Sequence, residues 1–288
     1  MLARLKITYL FESTALWGGN KVGFEQAEAL SEAGHAVTIL SKDSGPTWYP
    51  LKLGVTQVPA FDKSTIPESD ILVGTFWPTV KAAYESGKGT TVHLCQGYEA
   101  DYEEFRHLKS EIDEVYSLKI PKLTISPHLD KLLAEKFGAA TYYVGQMLNR
   151  DILFPSKEGF LLKSLRHFRS RSFRILVVGP FEGDYKNIAS ALRGIRSARE
   201  KFKVPVRLIR VSQFPLSRSE EEITKPDAYY FHVPSCSMGE IYRKADLLVS
   251  MSKECEGFGL PALEAMACGI PTILSRISSH TGFGETQD

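Results

Sequence analysis

One pattern constrains this chain more than any other: a strand, a glycine-bearing loop, a helix and a second strand, set out twice. Leu5–Phe11 is a β-branched and aromatic run, the composition of a buried strand. The loop Trp17-Gly18-Gly19-Asn20 follows. From Lys21 to Ala33, Phe24, Ala27 and Leu30 recur at helical spacing, and Gly34 stands where a left-handed residue ends a helix. Ala36–Leu40 is the next strand. Two strands joined through a helix run parallel in one sheet. The same order restarts at Phe173–Val178, with a loop from Gly179 to Tyr185, a helix over Asn187–Arg199 and a strand at Pro205–Val211.

Further strands are expected at Asp70–Phe76, Thr90–Cys95, Leu123–Ser126 and Tyr142–Val144, with a helix over Pro127–Gly138. Past the second start, strands are expected at Tyr229–Val233, Leu247–Ser250 and Pro271–Ser275, with helices over Met238–Ala245 and Pro261–Cys268. The expected fold class is therefore α/β, with two Rossmann-like domains, 1–155 and 173–288. The linker 156–172 joins them and opens a basic stretch, Arg166–Arg174. Ligands of open α/β sheets bind at the carboxyl ends of the strands, so two such domains are expected to face a cleft that holds the site.

Thirty-five Lys and Arg against 34 Asp and Glu leave a formal charge of +1. No basic field exists to neutralise a nucleic acid backbone, and none is expected as a partner. No apolar run approaches the roughly 18 residues of a membrane span. Lys6 and Glu12 interrupt the N-terminal run, which reads as a first strand rather than a leader, so a cytoplasmic protein is expected. Cys95, Cys236, Cys255 and Cys268 lack metal-ligand spacing and read as free thiols.

The most informative segment is Glu254–Pro271, ECEGFGLPALEAMACGIP. A turn carrying Gly257 and Gly259 follows the buried strand Leu247–Ser250. Pro261 suits a first helical position, and Gly269 with Pro271 ends the helix. The helix N-terminus offers free N–H groups and partial positive charge to an anion such as a diphosphate. Glu256 and Glu264 flank it with seven residues between. Carboxylates accept from pairs of sugar hydroxyls, so donors and acceptors together suit a nucleotide sugar. The competing reading makes Glu256 a solvated turn residue and Glu264 a partner of the helix dipole.

EGFGLPALEAMACGIP closely resembles the E-x7-E signature of retaining glycosyltransferases of family 4, whose fold is called GT-B. Met238–Ser250, Asn149-x-Asp151 with Phe154-Pro155, Thr124–Gly138 and Gly18-Gly19 resemble further segments of that family. The resemblance implies transfer of a glycosyl group from a nucleoside diphosphate sugar to an acceptor hydroxyl, with retention of configuration. It implies that Glu264 binds the donor ribose and that Glu256 faces the transferred sugar. The amides of Phe258, Gly259 and Leu260 would contact sugar or phosphate, with Gly18 and Gly19 near the donor phosphates. Lys186 would pair with the diphosphate and stabilise the leaving group; read alone, it is a solvated lysine at a helix start. No cofactor or metal is implied. The implied acceptor is a carbohydrate or lipid-linked molecule, and the basic stretch would allow peripheral contact with an anionic membrane.

Two positions depart from the family. Pro180 stands where an arginine usually follows the glycine equivalent to Gly179, leaving Arg174, Arg210 or another residue to supply that charge. Gln96-Gly97 replaces a His-Gly pair, and Glu99 just beyond it would orient acceptor or sugar, or serve only as a loop glutamate. His93 lies within a strand and reads as a packed histidine. The family's chains continue past the signature, so the second domain is expected to be truncated. Two rivals stay open: a nucleotide-sugar epimerase on the same fold, and a non-catalytic nucleotide-sugar-binding module.

Overall fold

The computed structural model describes residues 3–156 and 172–283. The expected linker lies outside them apart from its end residues, as does the basic stretch before Ser172. The chain divides into two compact units, Met1–Met147 and Leu148–Asp288. The α/β expectation holds in each.

The first unit's sheet comprises β1 (Lys6–Phe11), β2 (Ala36–Ser41), β3 (Val55–Gln57), β4 (Ile71–Gly74), β5 (Thr90–Cys95), β6 (Lys122–Thr124) and β7 (Thr141–Tyr143). Its order is β3-β2-β1-β4-β5-β6-β7, with every pairing parallel. The helices are α1 (Gly18–Glu32), α2 (Trp77–Ser86), α3 (Lys109–Tyr116) and α4 (Pro127–Phe137). α4 follows local rules closely. The Ser126 side chain accepts from the Leu129 amide, Pro127 opens the first turn, and Gly138 closes the helix at φ 57°.

The second unit's sheet comprises β8 (Phe173–Val178), β9 (Val206–Ser212), β10 (Ala228–Phe231), β11 (Leu247–Ser250) and β12 (Thr272–Leu274). The order is β10-β9-β8-β11-β12, again wholly parallel. Its helices are α5 (Ile188–Lys201), α6 (Arg218–Ile223), α7 (Met238–Lys244) and α8 (Leu260–Ala267). Alternate residues of β8 feed opposite layers. Ile175 and Val177 pack with Leu208 under Ile188, Leu192 and Ile195 of α5. Leu176 packs with Ile209, Val211 and Leu248 under Ile241, Tyr242, Ala262 and Ala265 of α7 and α8. Burial on both faces is why the run FRILVV reads as continuous rather than alternating.

Asn149–Phe154 packs with the second unit, so the division falls at 147/148 rather than at the linker. Leu153 lies in the α7–α8 core layer. Arg243 Nη1 donates to the Ile152 carbonyl at 2.9 Å, and its guanidinium lies 4.1 Å from the Phe154 ring centroid. Gly239, in α7, lets that carbonyl approach, because a Cβ there would collide with it. Gly239→Ala should destabilise the chain by about 1–3 kcal/mol in urea unfolding, the usual cost of overpacking. Gly194→Ala, where a Cβ meets nothing within 4 Å, should instead stabilise α5 by up to about 1 kcal/mol through helix propensity.

Candidate functional site

In both sheets the unit's first strand sits between its second and its fourth: β1 between β2 and β4, and β8 between β9 and β11. There the connections leave toward opposite faces, and a crevice opens at the carboxyl ends.

In the second unit, Gly179 ends β8 at φ +129°, a conformation that L side chains rarely adopt, and donates its N–H to Val211 O at 3.0 Å. A short 3-10 turn, Asp184–Lys186, follows, and Asn187 carries the chain into α5 at φ 48°. Asparagine is among the few residues that tolerate this. The Lys186 stem lies across Gly179; a Cβ on that glycine would stand 3.3 Å from Lys186 Cγ. From the neighbouring strand β11, the chain passes through Ser252 and Glu256 to Gly259, whose φ of 92° opens α8.

These two loops meet. Lys186 Nζ donates to Glu256 Oε2 at 2.6 Å, and Ser252 Oγ donates to the same oxygen at 2.9 Å. Both side chains of the ion pair are largely buried. Burial alone would lower the Lys186 pKa, but Glu256, with Tyr185, outweighs it and holds the amine above the ordinary lysine value. Glu264, on α8, is buried and accepts from Tyr242 Oη at 2.7 Å. Burial, together with the Glu264 carboxylate, raises the Tyr242 pKa well above the usual phenol value, so the hydroxyl stays a donor. The Phe258 side chain is buried between the two glutamates in sequence. Leu260 is the first residue of α8, so Pro261 takes the second helical position rather than the first. No side chain caps this helix; Pro261 has no N–H, and the Ala262 amide donates to the Gly259 carbonyl at 2.9 Å.

Two candidates for the charge missing at Pro180 are corrected. Arg174 lies at the amino end of β8, where Nη2 pairs with Asp246 at 2.8 Å, the far end of the strand from the crevice. Arg210 is fully buried and faces Glu220 and backbone carbonyls, not solvent.

In the first unit, Gly18 and Gly19 form the first turn of α1 rather than a loop. Gln96 Nε2 donates to Gly19 O at 2.9 Å, and a Cβ on Gly19 would stand 3.3 Å from that nitrogen. Glu99 opens a 3-10 turn and is buried against the Tyr116 hydroxyl, which bonds its carboxylate. Burial pushes the Glu99 pKa up to about 7, against the Tyr116 bond. His93 is fully buried, packed edge-on to Tyr116 with both ring nitrogens unpartnered, and burial with nearby Lys122 drops its pKa to about 3. The packed-histidine expectation therefore stands. Ser252, Tyr242 and Tyr116 escaped sequence reasoning. Tyr242 and Tyr116 act by bonding carboxylates 22 and 17 residues away, a relation with no local signal, and Ser252 bonds Glu256 four residues on, within a turn that has no regular period.

Residues 172–286 match the family model described as Glycosyl transferases group 1. No curated protein sequence matches the chain. Among solved structures, Anabaena Alr3699/HepE in complex with UDP-glucose aligns with a TM-score of 0.76 at 13% identity, covering 98% of this chain and 84% of that one. WaaG, a glycosyltransferase involved in lipopolysaccharide biosynthesis, aligns at 0.63 and 14%, covering 96% and 82%. A putative UDP-N-acetylglucosamine 2-epimerase from Listeria monocytogenes aligns at 0.59 and 11%, covering 94% and 79%. The fold is the GT-B fold of the glycosyltransferases.

Glu99 gives a pH-dependent prediction. With a folded pKa near 7 and an ordinary value of 4.5, its contribution is fully present below about pH 4.5 and is lost as pH rises through 7. Glu99→Gln should therefore gain about 3 kcal/mol relative to the parent between about pH 4.5 and pH 7. Urea unfolding of both proteins across that range measures it. His93 acts with the opposite sign but equally in both, so it cancels in the difference.

Proposed function

We propose that this chain is a glycosyltransferase that moves a glycosyl group from a nucleoside diphosphate sugar to an acceptor hydroxyl with retention of configuration. One observation carries the reading: at the β8–β11 crevice the buried Lys186 and Glu256 meet from two loops, and the helix that follows, without a side-chain cap, carries the buried Glu264. The group 1 domain spanning the same residues and the UDP-glucose held by HepE support it.

In this reading Lys186 and the amides at the start of α8 hold the diphosphate, and no metal is needed. The bond from the anomeric carbon to the phosphate oxygen breaks as Lys186 stabilises the charge growing on that oxygen. The acceptor oxygen bonds to the same face of the carbon, and its proton passes to the leaving phosphate. Glu264 binds the ribose hydroxyls, with Tyr242 fixing its carboxylate, and Glu256 faces the transferred sugar. The acceptor is a carbohydrate, free or lipid-linked, met on the cytoplasmic side of a membrane. Among the described residues no helix is long and apolar enough to cross a membrane.

Thermal unfolding with UDP, GDP, ADP and their sugars tests the donor site. A ligand at a hundred times its dissociation constant should stabilise the chain by about 2.7 kcal/mol. The shift should appear with one base and vanish in Glu264→Ala. No shift with any nucleotide would sink the reading, and sugar isomerisation without an acceptor would replace it with the epimerase.

A further inference from the structure

Arg210 lies in the body of β9, where a strand between β8 and β10 leaves little room for a charge. Its side chain is 0% exposed. Nη2 donates to the Gly179 carbonyl at 3.0 Å, and Nη1 donates to the carbonyls of Val177 at 2.9 Å and Val211 at 3.0 Å. Nε donates to Glu220, which is itself buried on α6. Four contacts engage all three guanidinium nitrogens, so the group has turned its whole fork onto the protein.

Two of the three carbonyls it holds, those of Val177 and Gly179, belong to the chain that leads into the Gly179–Lys186 loop, and the third, on Val211, accepts the Gly179 N–H. Gly179 is where the strand turns away at φ +129°, and the Lys186 stem rests on that glycine. Holding Gly179 O thus fixes the surface on which Lys186 lies. The neighbouring residue, Pro180, has no N–H and adds no hydrogen bond of its own to anchor the loop.

We infer that Arg210, with Glu220 as its counter-ion, is a positioning residue: it clamps the Gly179 carbonyl at the carboxyl ends of β8 and β9 and thereby aims Lys186 at the diphosphate. The inference rests on the reading of Lys186 as the cation that holds the diphosphate. Arg210 does not touch the ligand. It does its work through backbone carbonyls, which explains how a charge so close to the site can be entirely closed to solvent.

Removing Arg210 alone would strand the Glu220 carboxylate in the interior and destabilise the chain for that reason. The informative variant is the full-length double substitution Arg210→Met with Glu220→Gln, which removes both charges together and keeps their volume. Arg210→Lys serves beside it, since an ammonium can still face Glu220 but cannot span three carbonyls. Two readouts apply. The first is the acetylation rate of Lys186 by acetic anhydride, followed by peptide mass spectrometry, which needs no nucleotide. The second is the affinity for UDP set against that for uridine.

Expected in the variants are faster acetylation of Lys186 and about tenfold weaker UDP binding, the size of one charge-assisted contact, with uridine unchanged. Unchanged acetylation overturns the inference, as does equal weakening of UDP and uridine, which marks a merely structural role. If the parent chain binds neither UDP nor another nucleoside diphosphate, the donor reading fails instead, and the acetylation rate alone decides whether Arg210 places Lys186.

Discussion

The parallel pairing of β8 with β11 governs what the second unit can do. α5, which follows β8, packs on the layer of Ile175, Val177 and Leu208, while α8, which follows β11, packs on the layer of Leu176, Ile209 and Leu248. The two loops therefore leave toward opposite faces at the carboxyl edge, joined there by the Lys253 amide, which donates to the Tyr185 carbonyl at 2.8 Å. Lys186 reaches across from one side and Glu256 from the other. Nothing about the fold's stability asks for a lysine there, since an ion pair taken out of water is weak evidence for stability. Its presence at a crevice with two carboxylates is better explained by chemistry than by packing.

The first unit repeats the topology but treats charge differently. Glu99, Tyr116, His93 and Lys122 lie together beneath β5 and β6, and burial pushes each toward its neutral form. A carboxyl near pH 7 and an imidazole near pH 3 respond to acid with opposite sign. Their contributions to stability therefore oppose each other where the two windows overlap, between the ordinary carboxylate value of 4.5 and the ordinary imidazole value of 6.5.

Much of this was legible in the chain itself. Strands buried on both faces, such as β1, β5, β8 and β11, announce themselves as continuous apolar runs. The helix and turn of the E-x7-E segment fall within a residue of where local rules put them. The short β3 was not readable, because three residues carry no period. α2 was missed because its cap works backwards: the Thr79 hydroxyl accepts from the Thr75 and Phe76 amides instead of a serine or aspartate standing at the start. α6 was missed because its inward residue is Glu220, a carboxylate whose burial depends on Arg210. Gly18 and Gly19 read as loop from composition, yet they are helical; at Gly19, the Gln96 amide sits where a side chain would otherwise go. For α6 and for Gly19 the deciding partner, Arg210 or Gln96, lies on another element.

The Arg210–Glu220 pair carries a consequence for how this chain can change over time. Either residue without its partner leaves a lone charge in the interior, whereas losing both is survivable. Substitutions at 210 and 220 are therefore strongly non-additive, because each decides whether the other is tolerated. A lineage descending from this chain has no gradual path away from the pair. The two positions are expected to be inherited as a unit, kept together or replaced together, although ten residues separate them along β9, the following loop and α6.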